Sequence, residues 1–221
     1  NKNSRGSFYS SSDSSDSKFA RLLIDDVIFD ICSFISDNAP SDKHIISANE
    51  GGAVALAIGY YLATSKTPLV YMQNSGFGNT INPLLSLADP KVYSIPMLLV
   101  IGWRGEPGVK DEPQHVKQGE VSETLLKTLD IPYVIISDKT EGIDKVITGA
   151  IKKAEENNGP YAILVRKGTF EPYSLKTKIK TNFDLNREEA IIKTTELLSD
   201  SDIIVATTGK TSRELFEFRA R

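Results

Sequence analysis

The sequence runs to 221 residues, with 26 Lys and Arg against 29 Asp and Glu, for a formal net charge of -3. Apolar residues make up 40% and charged residues 25%, an ordinary globular mixture, and with no long basic run there is no electrostatic case for nucleic acid or an anionic membrane surface. The single cysteine, Cys32, excludes an internal disulfide, two histidines are too few for a zinc site, and no apolar stretch reaches a membrane span; a cytoplasmic location is expected, with no metal ligands in this chain.

Residues 1–17 are mostly Ser with Asn, Asp and Gly, and cannot bury enough apolar surface to offset the entropy of ordering, so they are expected to form a disordered leader. From Lys18 short apolar runs alternate with helical patterns. The runs predicted as strands are His44–Ser47, Leu69–Met72, Met97–Ile101, Tyr133–Ile136, Tyr161–Val165 and Ile203–Ala206, most of them apolar on both faces as in a covered parallel sheet. The predicted helices are Phe19–Asp37, Gly51–Thr64, Asn79–Leu87, Ser122–Leu129, Gly142–Asn157 and Arg187–Ser199. This alternation implies an α/β fold with a doubly wound, mostly parallel sheet over residues 18–167. Residues 168–186, rich in Lys and Thr and lacking periodicity, are predicted to be a linker. Residues 187–221 then open a second α/β domain, and a chain that starts at Asn1 and stops inside a helical pattern is expected to be a fragment.

Ligands of such sheets bind beyond the carboxyl ends of the strands. The turn Ser47-Ala48-Asn49-Glu50-Gly51-Gly52-Ala53 puts a carboxylate beside glycine backbone that a flat ring can approach, at the head of a helix read as apolar all round. An apolar wall would raise the Glu50 pKa and suit proton sharing with a ligand nitrogen; the alternative is an exposed first-turn Glu favoured by the helix dipole. The turn Gln73-Asn74-Ser75-Gly76-Phe77-Gly78-Asn79 offers amides at a helix entry, with Ser75 or Asn79 as the expected cap. The connection from Gly102 to Gly119 exceeds the roughly 12–15 residues beyond which loops are usually functional or disordered. It holds the only Trp, the acid/base candidate His115, and the cations Arg104, Lys110 and Lys117, which could hold a dianionic substrate. The run Thr208-Gly209-Lys210-Thr211 resembles the end of a phosphate-binding loop, but Ile204 stands where that motif needs Gly.

Taken together, the Asn49-Glu50-Gly51, Gln73-Asn74-Ser75-Gly76 and Asp111-Glu112-Pro113-Gln114-His115 blocks resemble the thiamine-diphosphate-dependent decarboxylases of the phosphonopyruvate and sulfopyruvate type. The resemblance implies that residues up to about Lys167 form the pyrimidine-binding domain, and that the later Thr-Thr-Gly-Lys-Thr-Ser run opens a diphosphate-binding domain. It also implies that Glu50 bonds N1′ of the aminopyrimidine and thereby activates the thiazolium carbon that attacks the keto acid. Gln114 and His115 match the pair that handles protons on the reacting molecule, and Gln73 and Asn74 match residues near the cofactor and the partner subunit. Arg104, Lys110 and Lys117 are expected to bind the substrate's second anionic group by charge alone.

Two departures stand out. A Gly-Val-Pro-Asp-Ser type strand block is absent after the first helix, and so is the Gly-Asp-Gly…Asn pattern that holds Mg²⁺ and the cofactor's diphosphate. The metal ligands and the other half of the site are therefore expected outside this chain, in a homo-oligomer or on a separate diphosphate-domain chain. The implied reaction converts 3-phosphonopyruvate to phosphonoacetaldehyde and CO₂. The alternatives are a sulfopyruvate decarboxylase-like subunit and an inactive truncated domain that acts only in subunit association.

Overall fold

A computed structural model describes residues 27–40, 42–176, 183–199, 201–206 and 210–220. The Ser-rich leader, the first part of the helix predicted from Phe19, the later part of the linker and the turn at 207–209 lie outside the described residues. The chain divides into two compact units, Asn1–Thr177 and Lys178–Arg221.

The first unit is built on four parallel strands, β1 (Leu69–Gln73), β2 (Met97–Gly102), β3 (Tyr133–Ile136) and β4 (Pro160–Val165), in the order β1-β2-β4-β3. Alternate residues of β2 feed opposite faces. Met97, Leu99 and Ile101 pack with Val54, Ala57 and Ile58 of α2 (Glu50–Thr64) and with Leu126 of α4 (Pro113–Thr128). Leu98 and Val100 pack on the other side with Ala150 and Ala154 of α5 (Ile143–Glu156) and with Ile31 of α1 (Val27–Asn38). Both faces are thus covered, which is why these strands are apolar throughout: the sheet is doubly wound α/β. Between β1 and β2 the chain runs through short helical turns, starting with α3 (Asn74–Phe77) and ending at Leu84–Ala88.

Two predicted strands do not join a sheet. His44–Ser47 is unpaired, with Ile45 and Ile46 exposed at 68% and 75%, and is held to the sheet through His44 Nε2 and the Tyr71 hydroxyl, 2.5 Å apart. A strand persists only with a ladder partner, and among the described residues none pairs with this run. Ile203–Ala206 is also unpaired, because the described part of the second unit has no other strand.

The helix predicted from Ser122 starts instead at Pro113. Proline suits a first helical turn, where its fixed φ is helical and its missing N–H would have had no partner. The connection after β2 therefore shrinks to residues 103–112, an ordinary loop length.

The first part of the segment read as a linker is docked on α1. The Tyr173 N–H donates to the buried Asp30 Oδ1 (3.0 Å), the Lys176 N–H donates to Asp37 Oδ2 (2.8 Å), and the Tyr173 ring meets Phe34 edge-on with centroids 5.3 Å apart. The second unit contains α6 (Arg187–Glu196), whose capping box joins Asn186 and Glu189, and α7 (Lys210–Arg219), whose Glu214 takes both arms of the Arg187 guanidinium. Among the described residues no helix is long and apolar enough to cross a membrane.

Candidate functional site

The carboxyl ends of β1 and β2 and the first turns of α2 and α4 carry the candidate residues. Asn49, extended at φ -157° and ψ 167°, accepts from the Gly52 N–H through its side chain (2.7 Å) and so fixes where α2 begins. Glu50 follows in the first turn, half-buried. Asn79 Nδ2 donates to its Oε2 (2.9 Å), while Oε1 lies against Gly76. A Cβ at Gly76 would overlap the Glu50 carboxyl group outright, and a Cβ at Gly51 would come within 2.7 Å of the Asn79 carbonyl oxygen. Two glycines therefore let the head of α2 and the turn after β1 interlock around one carboxylate. Asn79 thus holds Glu50 rather than capping a helix, and Ser75 donates to Gln73 Oε1 (2.9 Å) instead of capping α3. The α2 wall is less enclosed than expected: Val54, Ala57 and Ile58 are buried, but Leu56 and Leu62 are 51% and 62% exposed.

Asn74 occupies a different place from the one the sequence suggested. The β1–β2 ladder ends at Gln73 and Gly102, and the Asn74 side chain continues it. Its Oδ1 accepts from the Arg104 N–H (3.0 Å), and its Nδ2 donates to the Arg104 carbonyl (2.8 Å) and to Ser122 Oγ (2.9 Å). Both amide hydrogens are spent inside the protein, and the residue is 5% exposed. Asn74 ties β1, β2 and α4 together rather than offering its amide to a cofactor; Gln73, half-buried beside it, stands nearer the rim.

The loop after β2 is pinned at both ends. Trp103 is buried and donates its indole N–H to the Gly119 carbonyl (3.0 Å). Gly105, at φ +67°, lies so close to α4 that a Cβ there would overlap the His115 carbonyl, and a Cβ at Gly119 would overlap the Gly105 carbonyl. Arg104 donates from Nε to Asp111 Oδ2 (2.8 Å) and from Nη2 to Oδ1 (2.5 Å). Arg104 is therefore committed to Asp111, and Lys117 to Glu120 (3.0 Å) on the outer face of α4; Lys110 stands exposed on the loop. Of the three cations read as anion holders, Arg104 and Lys117 thus have carboxylate partners within the chain, and Lys110 has none among the described residues. His115 is half-buried with Nδ1 3.2 Å from Gln118 Oε1, and Gln114 is exposed beside it.

The Arg104 guanidinium, together with the N–H groups of Glu112 and Gly105, holds the Asp111 carboxyl well below the usual carboxylate range. A lowered folded value means stabilisation that is complete above about 3.8 and is lost as pH falls toward the lowered value. Asp111→Asn is expected to lose about 2–3 kcal/mol at neutral pH and to converge on the parent below that point, as urea midpoints across pH will show.

Residues 18–126 match the family described as thiamine pyrophosphate enzyme, N-terminal TPP binding domain. The sulfopyruvate decarboxylase subunit alpha of Methanococcus maripaludis is 39% identical over 124 residues, which cover 56% of this chain and 71% of that subunit. The chain belongs to the thiamine pyrophosphate enzymes. Phosphonopyruvate decarboxylases of Streptomyces viridochromogenes and Streptomyces hygroscopicus are 32% and 30% identical over 197 residues, 82% of this chain in each case. The chain spans 48% of the length of each, about half.

The residues present fit the pyrimidine half of the family's cofactor. The Glu50 carboxylate, held by the Asn79 amide and lying against Gly76 at the head of α2, is a group able to share a proton with a ring nitrogen, and a Cβ at Gly76 would displace it. Thiamine diphosphate, when bound, supplies the nucleophilic carbon and the electron sink for decarboxylation. Sequence reasoning missed Gly76 and Asp111 and misread Asn79. Arg104 and Asp111, seven positions apart across a Gly/Pro-rich turn, were the available signal for the ion pair.

Proposed function

We propose that the whole protein decarboxylates 3-phosphonopyruvate to phosphonoacetaldehyde and CO₂ with thiamine diphosphate and Mg²⁺, and that this chain supplies the pyrimidine-binding half of the site. The observation that carries this reading is the Glu50 carboxylate laid over Gly76 with Asn79 on its far oxygen. Glu50 shares a proton with the aminopyrimidine nitrogen, and Gln73 flanks the ring. His115, at the head of α4 with Gln114 beside it, delivers the proton that replaces CO₂ on the product carbon, so the reaction consumes one proton overall. Lys110 serves the substrate's second anionic group, and Arg104 and Lys117 act at most through the field they add to that edge.

The half-site and the exposed Leu56 and Leu62 of α2 support association with a second copy or with a separate chain that carries the diphosphate and metal ligands. The single cysteine and the lack of Asn-x-Ser/Thr sequons support a cytoplasmic enzyme. Sulfopyruvate is the second reading, favoured by the higher identity of the Methanococcus maripaludis subunit. The phosphonate reading rests on the longer stretch of this chain, reaching 82%, that aligns with the Streptomyces enzymes. Incubation of the full protein with thiamine diphosphate, Mg²⁺ and each keto acid decides between them. We expect kcat/KM for 3-phosphonopyruvate to exceed that for sulfopyruvate by about tenfold or more, a margin that one well-placed polar contact can supply. The reverse order would assign the sulfonate, and no turnover of either would favour a domain that only associates.

A further inference from the structure

We infer that Asp111 is a positioning residue that sets His115, acting as a latch across the loop between β2 and α4. The inference rests on the role of His115 proposed above only for its consequence in turnover; the geometry stands by itself. The Asp111 carboxylate is 10% exposed and accepts four hydrogen bonds. Two come from the Arg104 guanidinium, one from the Gly105 N–H (2.8 Å) and one from the Glu112 N–H (2.7 Å). The first pair ties the carboxylate to the end of β2, because the Arg104 backbone is itself clamped on both sides by Asn74. The last bond reaches the residue before α4, whose carbonyl accepts from the His115 N–H (2.9 Å).

The Gly105 bond matters most. Gly105 lies in direct backbone contact with His115, with no space for even a Cβ between them. One carboxylate therefore fixes both surfaces against which the first turn of α4 is seated. A carboxylate is required because all four partners are donors: an amide in its place would turn an N–H₂ toward donors and lose two of the four bonds. Charge at this position is thus a geometric device, with the guanidinium drawing the loop closed.

The test uses the full protein with its histidine rings isotopically labelled, comparing the parent with Asp111→Asn and with Lys117→Ala, which removes an exposed ion pair on the same helix. Histidine ring correlations are read by NMR, with His115→Gln assigning the His115 signal and His44→Gln the His44 signal. In Asp111→Asn we expect the His115 ring signal to move by about 0.1 ppm or more in ¹H or to broaden twofold or more, since ring shifts follow local structure and exchange. The His44 signal stays in place, and Lys117→Ala alters neither. Arg104→Lys, which keeps the charge but not the fork, is expected to give a smaller displacement of the same signal. An unchanged His115 signal in folded Asp111→Asn would overturn the proposal, as would equal displacement of both histidines, which marks a general loss of structure. A displaced His115 signal with unaltered turnover would support the latch and count against His115 as the proton donor, so the two claims fail separately.

Discussion

Glu50→Gln is expected to lower decarboxylation by the full protein by about 10³-fold, within the range that a positioned acid or base supplies, while leaving the melting temperature within a few degrees of the parent. Glutamine has the size of glutamate and can still accept from Asn79 Nδ2, so the interlock of α2 with the turn after β1 survives. What it lacks is a proton to exchange with the ring nitrogen. The loss should fall on kcat more than on KM, because the interaction changes between the ground state and the reacting state. A merely structural glutamate would give the opposite pattern, with lowered stability and turnover nearly intact per folded molecule. Steady-state kinetics and thermal melts on the same preparation distinguish the two.

Gly76→Ala is expected to do comparable damage by a different route. Gly76 is buried and its added Cβ would meet the Glu50 carboxyl group, so either the carboxylate or the turn must move. Inserting a methyl into such a packed place costs about 1–3 kcal/mol. Turnover should fall by about 10²-fold, since a misplacement near 1 Å has effects of that order. Binding of thiamine diphosphate, measured by calorimetry, should weaken as well. Gly78, two residues further on, has open space around its would-be Cβ. Gly78→Ala is therefore the matched control, with turnover and affinity unchanged. If both alanine variants behave like the parent, Glu50 does not need the space over Gly76.

Much of the fold could be read in the sequence because a doubly covered parallel sheet leaves a plain mark. The four runs at Leu69, Met97, Tyr133 and Tyr161 are apolar on both faces, and each became a strand. His44–Ser47 and Ile203–Ala206 carry the same local mark but are unpaired, since a strand is a property of two segments and the sequence shows one at a time. The early start of α4 was hidden because Pro113-Gln114-His115 has no apolar periodicity, and only the proline hinted at a helix entry. At the site, the position of Glu50 was legible because the Asn49-Glu50-Gly51-Gly52 run marks a helix entry, and the carboxylate does stand in the first turn of α2. Asn74 was not, because an amide beside a strand end can equally serve a ligand or the backbone. Only the positions of Arg104 and Ser122 reveal that it serves the backbone. The partners of the cations were hidden for a related reason: charge counted along a loop says nothing about which charges are already answered. Asp111 and Glu120 answer two of the three.

If Glu50, lying against Gly76, activates the cofactor's ring, the effect shows on the cofactor alone. Hydrogen–deuterium exchange at the thiazolium C2 of thiamine diphosphate bound to the full protein, read by quenched-flow NMR, tests it without any substrate present. The parent protein is expected to exchange about 10³-fold faster than Glu50→Gln, the share that a positioned acid or base contributes. Equal exchange rates in the two proteins, with the cofactor bound in both, would contradict the account.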